Sequence, residues 1–308
     1  MAIRNQEKNR TVWTLLSKDG GSQVRFIPEW GGVAFSMTVS SSAGPRELFY
    51  QHDYFWDPES VRIRGSWPYL FPVCGRMVRN GQEETYLLDG RIYRLPTHGF
   101  SPRMPWEVLD SPDADRIVLR LIDTPKTREQ YPFSFEVRLE YRVEAGALIC
   151  HQTVTNSGDR PLPYCCGFHP YFRTPAPGCG KENVLVDIPA RRRLLYNDKL
   201  TDITGDAPPS PMPSSITNPE INETLSQIES ATVCRLIYPD GFTIHLAEES
   251  SNPEPLFRYV QLYTMPEKPF FCIEHWTGHP NALNTVDGMR WIAAGAQETA
   301  LFRMWTTP

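Results

Sequence analysis

Between Phe133 and Val143 the large groups Phe133, Phe135, Val137, Leu139, Tyr141 and Val143 alternate with Ser134, Glu136, Arg138, Glu140 and Arg142. Period two over eleven residues predicts a β-strand with one apolar and one polar face, because a helix would scatter those groups around its axis. The same alternation runs through Val33 to Val39. Apolar, β-rich runs at Arg116 to Ile122, Leu148 to Thr155, Phe257 to Tyr263 and Ala300 to Trp305 predict further strands. Asp89-Gly90 and Asp240-Gly241 each separate two apolar runs and predict tight two-residue hairpins, a loop that needs positive φ at both positions. Gly205 to Pro219 carries five prolines among serines and asparagine and is expected to be an extended surface loop; a short helix is expected near Ile221 to Glu229. These elements predict an all-β chain, a large antiparallel β-sandwich, with residues 1–308 forming a single domain.

Composition sharpens this picture. The chain has 29 prolines in 308 residues, close to double the usual ~5%, and proline inside a helix removes a donor and clashes with the preceding turn. Long helices are therefore disfavoured. The formal net charge of −5 provides no basic field for a phosphate backbone, so no nucleic-acid partner is expected. No run approaches the length of a membrane span, and the first residues lack the apolar core of a secretory signal; the expected location is cytoplasmic, with no membrane partner. Seven cysteines without a C-x-x-C pair predict reduced, mostly buried thiols.

Three segments place ionisable groups among aromatics and glycines: Pro96-Thr97-His98-Gly99-Phe100, Gly167-Phe168-His169-Pro170-Tyr171-Phe172 and Phe271-Cys272-Ile273-Glu274-His275-Trp276. A lone histidine in such a setting is more often structural than catalytic. Glu274 carries more information, since it sits in an apolar strand where a carboxylate is costly to bury. Either a cation pairs with it, or its pKa is raised into the range of a general base working near neutral pH. His275 and His279 are four apart with Cys272 nearby, but Gly278 and Pro280 rule out the helix that would make this a metal-ligand spacing. No metal and no cofactor are expected. Arg62, Arg64, Arg76 and Arg79 form a local basic cluster.

Taken in series, Ser66 to Arg76, Leu88-Asp89-Gly90-Arg91-Ile92-Tyr93, His98-Gly99-Phe100 with Trp106, Tyr131-Pro132-Phe133-Ser134-Phe135, Gly167 to Phe172, and Glu274 with Trp276-Thr277-Gly278 and Asn281-Ala282 resemble the aldose 1-epimerase (galactose mutarotase-like) family, over about residues 24 to 305. The resemblance implies a β-supersandwich that interconverts the anomers of an aldose without a cofactor. It implies Glu274 as the base on the C1 hydroxyl and His169 as the acid towards the ring oxygen. His98, Arg76, Asn222 and Trp276 would bind the sugar, Asn222 standing near the position of an aspartate that relatives use. Trp67, Tyr171 and Trp276 offer flat faces to sugar C–H groups or serve as core, the latter being favoured. His275 replaces a proline common in relatives and adds a titratable group beside the base. The implied partner is a small-molecule sugar or sugar phosphate, since some relatives act on hexose 6-phosphates; a monomer or homodimer is expected. The alternatives are a non-catalytic carbohydrate-binding or sensing protein on the same fold, and a glycoside hydrolase or lyase, which would want a second carboxylate.

Overall fold

The computed structural model describes residues 2–60, 63–229, 232–249 and 255–308. Three antiparallel sheets dominate it. Five sequential strands, Ile3–Glu7, Arg10–Leu16, Ser22–Ile27, Val33–Ser41 and Gly44–Glu47, form the first. A nine-stranded sheet is centred on Phe135–Glu144, Ala147–Asn156 and Gln297–Thr307. An eight-stranded sheet contains Thr224–Gln227, Tyr259–Tyr263, Phe270–Trp276 and Gly167–Phe168. The two large sheets meet across the ring of Phe302, which stacks on Phe168 at 4.8 Å and touches Trp67 and His275. The first sheet packs onto the nine-stranded one through Phe26 and Tyr141, whose centroids are 5.0 Å apart. No helix among the described residues is long and apolar enough to cross a membrane.

The period-two reading of Phe133 to Val143 matches the strand Phe135–Glu144, in which the five alternate apolar groups are buried and their neighbours face outward. In Val33–Ser41 the alternation is interrupted. The register shifts between Arg25 and Phe26 leave Phe35 as the extra residue. Val33 and Phe35 consequently pack with Phe55 in a satellite cluster, while Met37 and Val39 join the main core. Six of the seven cysteines are buried and all are free thiols.

Three local expectations are corrected. Asp89-Gly90 does form the two-residue turn, with φ of 50° and 77°, but the loop at Asp240-Gly241 has three residues. Pro239 locks its own φ negative, so the Tyr238 N–H bonds the Phe242 carbonyl, the Gly241 N–H bonds the Tyr238 carbonyl, and only Gly241 takes positive φ. The stretch expected as a helix from Ile221 is a 3-10 turn, Pro219–Ile221, followed by the strand Thr224–Gln227. Ile221, Leu225 and Ile228 have helical spacing, but Glu223 at φ 54° breaks the chain between them, and Leu225 is claimed by strands on both sides. The proline-rich segment is also partly paired: Ile203–Ala207 edges the eight-stranded sheet and Ser214–Ser215 edges the nine-stranded one, so it crosses between sheets as it runs over the surface.

Gly99 shows how tightly the site's scaffold is built. Its φ is +73°, and a Cβ there would lie 2.1 Å from the Phe71 carbonyl oxygen. Gly99→Ala is expected to cost on the order of 2–4 kcal/mol, through forced left-handed backbone and a clash with main chain; urea denaturation of the two proteins measures it.

Candidate active site

Glu274 lies in the middle of Phe270–Trp276, a strand buried on both faces. That explains why its sequence reads as an apolar run without alternation. Pleating still separates its residues: Phe271 and Ile273 enter the main core, whereas Glu274 and Trp276 face a cavity of about 220 Å³. Two short strands pair with it in a single register, Phe168 opposite His275 and Tyr171 opposite Cys272. Counting between them places His169 opposite Glu274, in the gap where Pro170 has no N–H to give. Cross-strand neighbours share a face, and His169 Nε2 lies 3.3 Å from Glu274 Oε1. On the other side of Glu274 its partner is Gln261, whose Oε1 accepts from the Tyr196 hydroxyl at 2.9 Å. Histidine, glutamate and glutamine thus form one row across adjoining strands.

His98 reaches the cavity from a turn at φ 65°. The Gly75 N–H donates to its Nδ1 at 3.1 Å, and its own N–H donates to the Gly75 carbonyl at 3.0 Å. Burial, then the charges of Arg103 and Arg76, push the His98 imidazole down to about 3. A neutral ring whose Nδ1 accepts a hydrogen bond carries its proton on Nε2. His98 therefore presents an N–H donor. The donor atoms of His98, His169 and Glu274 lie within 4.8 Å of one another, the span of a metal-ligand set. With its Nδ1 accepting and its Nε2 protonated, however, His98 keeps no free lone pair for a metal ion.

Burial pushes Glu274, only 2% exposed, well above the ordinary carboxyl value, opposed by the Trp276 indole and reinforced by Glu223. The same burial, with His98 alongside, pushes His169 well below the ordinary imidazole value. No arginine among the described residues pairs with Glu274, and its carboxyl is pushed up instead. Its Oε2, His169 Nδ1 and Trp276 Nε1 are buried without a hydrogen bond of full geometry, although the Trp276 indole still favours the carboxylate.

Arg76 and Trp276 line the cavity as expected; Asn222 does not. Its Oδ1 accepts the Thr264 N–H at 2.8 Å, and the next residue, Glu223, faces the cavity instead. Sequence reasoning also passed over Tyr196 and Gln261, which lie in unremarkable strand segments. Tyr171 belongs to the cavity wall, whereas Trp67 is core. His275 points away from the base: pleating turns it against Phe302 at 4.8 Å, where burial pushes it down to about 3, so it adds no second titrating group beside Glu274. His279 Nδ1 is 3.5 Å from Asp287 and its ring abuts Tyr259, remote in role from His275. The arginines do not converge either. Arg64 stacks over Trp30 and donates to the Asp57 and Ser60 carbonyls, Arg79 is absent from the cavity lining, and Arg62 lies outside the described residues.

An antiparallel β-sandwich of this arrangement has the galactose mutarotase-like class of fold. The chain belongs to the aldose 1-epimerase family, whose model matches residues 14–285. It is 26% identical over 259 residues to the plasmid LacX protein of Lactococcus lactis subsp. lactis, covering 75% of this chain and 80% of LacX. Among solved structures it resembles a galactose mutarotase related enzyme from Lactobacillus acidophilus, with TM-score 0.78, 22% identity and coverage of 100% and 98% of the two chains. A galactose mutarotase-like protein from Clostridium acetobutylicum superposes with TM-score 0.80 at 16% identity, over 100% of this chain and 98% of that one.

The buried carboxyl has a consequence for stability. A carboxyl whose pKa is raised on folding binds its proton more tightly in the folded state, so stability falls as pH rises from the ordinary value of 4.5 towards the folded value, then levels off. Glu274→Gln removes that titration. The variant is expected to be more stable than the parent above the carboxyl range, by about 1–3 kcal/mol, with the gap closing towards pH 4; thermal unfolding across pH measures it.

Proposed function

We propose that the protein is an aldose 1-epimerase, an isomerase that interconverts the α and β anomers of a hexose. The observation that carries this reading is the buried pair of Glu274 and His169, 3.3 Å apart at the wall of a cavity that takes about one sugar ring. Opening a pyranose needs a base for the C1 hydroxyl and an acid for the ring oxygen. Glu274 as carboxylate takes the hydroxyl proton while His169 as imidazolium protonates the ring oxygen. The C1–O5 bond breaks with its electron pair going to O5, and an aldehyde forms. After rotation about C1–C2 the steps reverse: His169 removes the O5 proton, O5 attacks the other face of C1, and Glu274 returns its proton to the carbonyl oxygen. One proton is shared by the pair throughout.

Burial favours the neutral acid and neutral imidazole, the protonation state that accompanies the open-chain sugar. The His98 Nε2–H and the Arg76 guanidinium hold sugar hydroxyls as donors, and Glu223 takes the acceptor role first expected of Asn222. The Trp276 ring faces the sugar's C–H groups. Because a single arginine lines the cavity among the described residues, the substrate is an uncharged hexose ahead of a hexose 6-phosphate.

Polarimetry or NMR exchange with freshly dissolved α-glucose, α-galactose and glucose 6-phosphate tests this. Glu274→Gln and His169→Ala should each lower kcat by roughly 10²–10⁴-fold. Variants that match the parent protein would refute the assigned roles, and saturable sugar binding without faster anomer exchange would make the protein a carbohydrate binder. The pH profile of kcat/KM should be bell-shaped. Its acid limb, where the pair gains a second proton, lies below the ordinary imidazole value of 6.5 because His169 is depressed; its alkaline limb, where the shared proton is lost, lies above 4.5 because Glu274 is raised.

A further inference from the structure

A second hollow, of about 430 Å³, abuts the catalytic cavity. Ile63, Tyr171 and Tyr263 line both, so the two share a wall. The remaining lining of the hollow includes His52, Asp53, Tyr54 and Lys268. A file of rings leads into it from the proposed acid. Tyr171 stacks on His169 at 4.6 Å and 7°, His52 meets Tyr171 edge-on at 5.4 Å, and Tyr54 stacks on His52 at 4.9 Å and 6°. The Tyr54 hydroxyl donates to the Ile63 carbonyl at 3.2 Å, which fixes how that ring is presented.

We infer that this hollow is a subsite for a glycosyl group carried on carbon 6 of the hexose, so that the protein turns over the reducing end of a 6-linked disaccharide. The inference rests on the epimerase reading, which sets the ring oxygen at His169. In a pyranose the ring oxygen is flanked by C1, which that reading places at Glu274, and by C5, which bears C6. The substituent on C6 therefore leaves on the side of His169 where Tyr171 and the hollow lie. The chemistry there suits a neutral sugar. Stacked aromatic faces receive C–H groups, and the Asp53–Lys268 ion pair at 2.9 Å offers both donors and acceptors to hydroxyls. Lys268 is the sole lysine or arginine among the described residues of the lining, and its charge is already matched by Asp53. That balance disfavours a phosphate.

NMR exchange with glucose, isomaltose and glucose 6-phosphate tests the assignment on the full-length protein. Isomaltose should be turned over with a KM about 5–10-fold below that of glucose. Tyr54→Ala should remove that advantage while leaving glucose within twofold, and Tyr54→Phe, which keeps the ring, should retain it. Exclusion of isomaltose while glucose is turned over, or equal effects of Tyr54→Ala on both sugars, would overturn the subsite. So would a preference for glucose 6-phosphate that Lys268→Ala abolishes. If no sugar is turned over, the epimerase reading fails. The hollow is then judged by calorimetry alone: tighter binding of isomaltose than glucose, lost in Tyr54→Ala, supports it, and equal binding overturns it.

Discussion

Two titratable groups of opposite type lie 3.3 Å apart and both are nearly dry, so the charged form of either is disfavoured unless the other compensates it. Water would let the carboxyl and imidazole ionise independently. Burial removes that freedom, because each charged form loses hydration while the other side chain is the nearest group that can compensate. The remainder of the site follows from this constraint. His98 is neutral and oriented by the Gly75 main chain, no arginine among the described residues intrudes on Glu274, and His275 is turned into the core.

The constraint is imposed by sheet register rather than by a loop. His169 faces Glu274 because the strands on either side of Pro170 pair with Phe270–Trp276 in one register. A slip of one residue would send Glu274 into the core and His275 into the cavity. The register is held by large groups with no alternative place: Phe168 and Phe172 pack in the main core, and Phe302 from the opposite sheet closes over Phe168 and His275. Core packing between the two large sheets and the Glu274–His169 contact on the cavity face of one of them are therefore linked through the same seven-residue strand.

This linkage explains how much could be read in advance. Strands exposed on one face, such as Phe135–Glu144, declare themselves by alternation, and the Asp89-Gly90 turn by its dipeptide. Glu274 was conspicuous because a carboxylate in an apolar run has no cheap explanation. Apart from His169, the partners of Glu274 carry no such signal. Gln261 and Tyr196 become significant only when strands distant in sequence come side by side, and the choice between Asn222 and Glu223 turns on which side chain Thr264 occupies. The helix expected from Ile221 failed for a related reason, since apolar spacing alone does not distinguish a helix from a strand wanted by neighbours on both sides. At Asp240-Gly241 the dipeptide is an incomplete signal, because Pro239 ahead of it holds a negative φ and the loop closes over three residues.

Unsatisfied polar atoms point in the same direction as the register. Buried donors and acceptors are ordinarily paired, yet Glu274 Oε2, His169 Nδ1 and Trp276 Nε1 make no hydrogen bond of full geometry, and neither do atoms elsewhere, among them both His275 nitrogens, Trp67 Nε1 and Glu248 Oε1. Glu274, His169 and Trp276 all line a single cavity. Leaving such atoms unpaired costs stability that the apolar core must offset. At the cavity, unlike at those other positions, a polyhydroxylated ligand would meet such atoms with matching donors and acceptors. A site satisfied by its own side chains would bind the same ligand less well, because each sugar hydroxyl would first have to displace an internal bond.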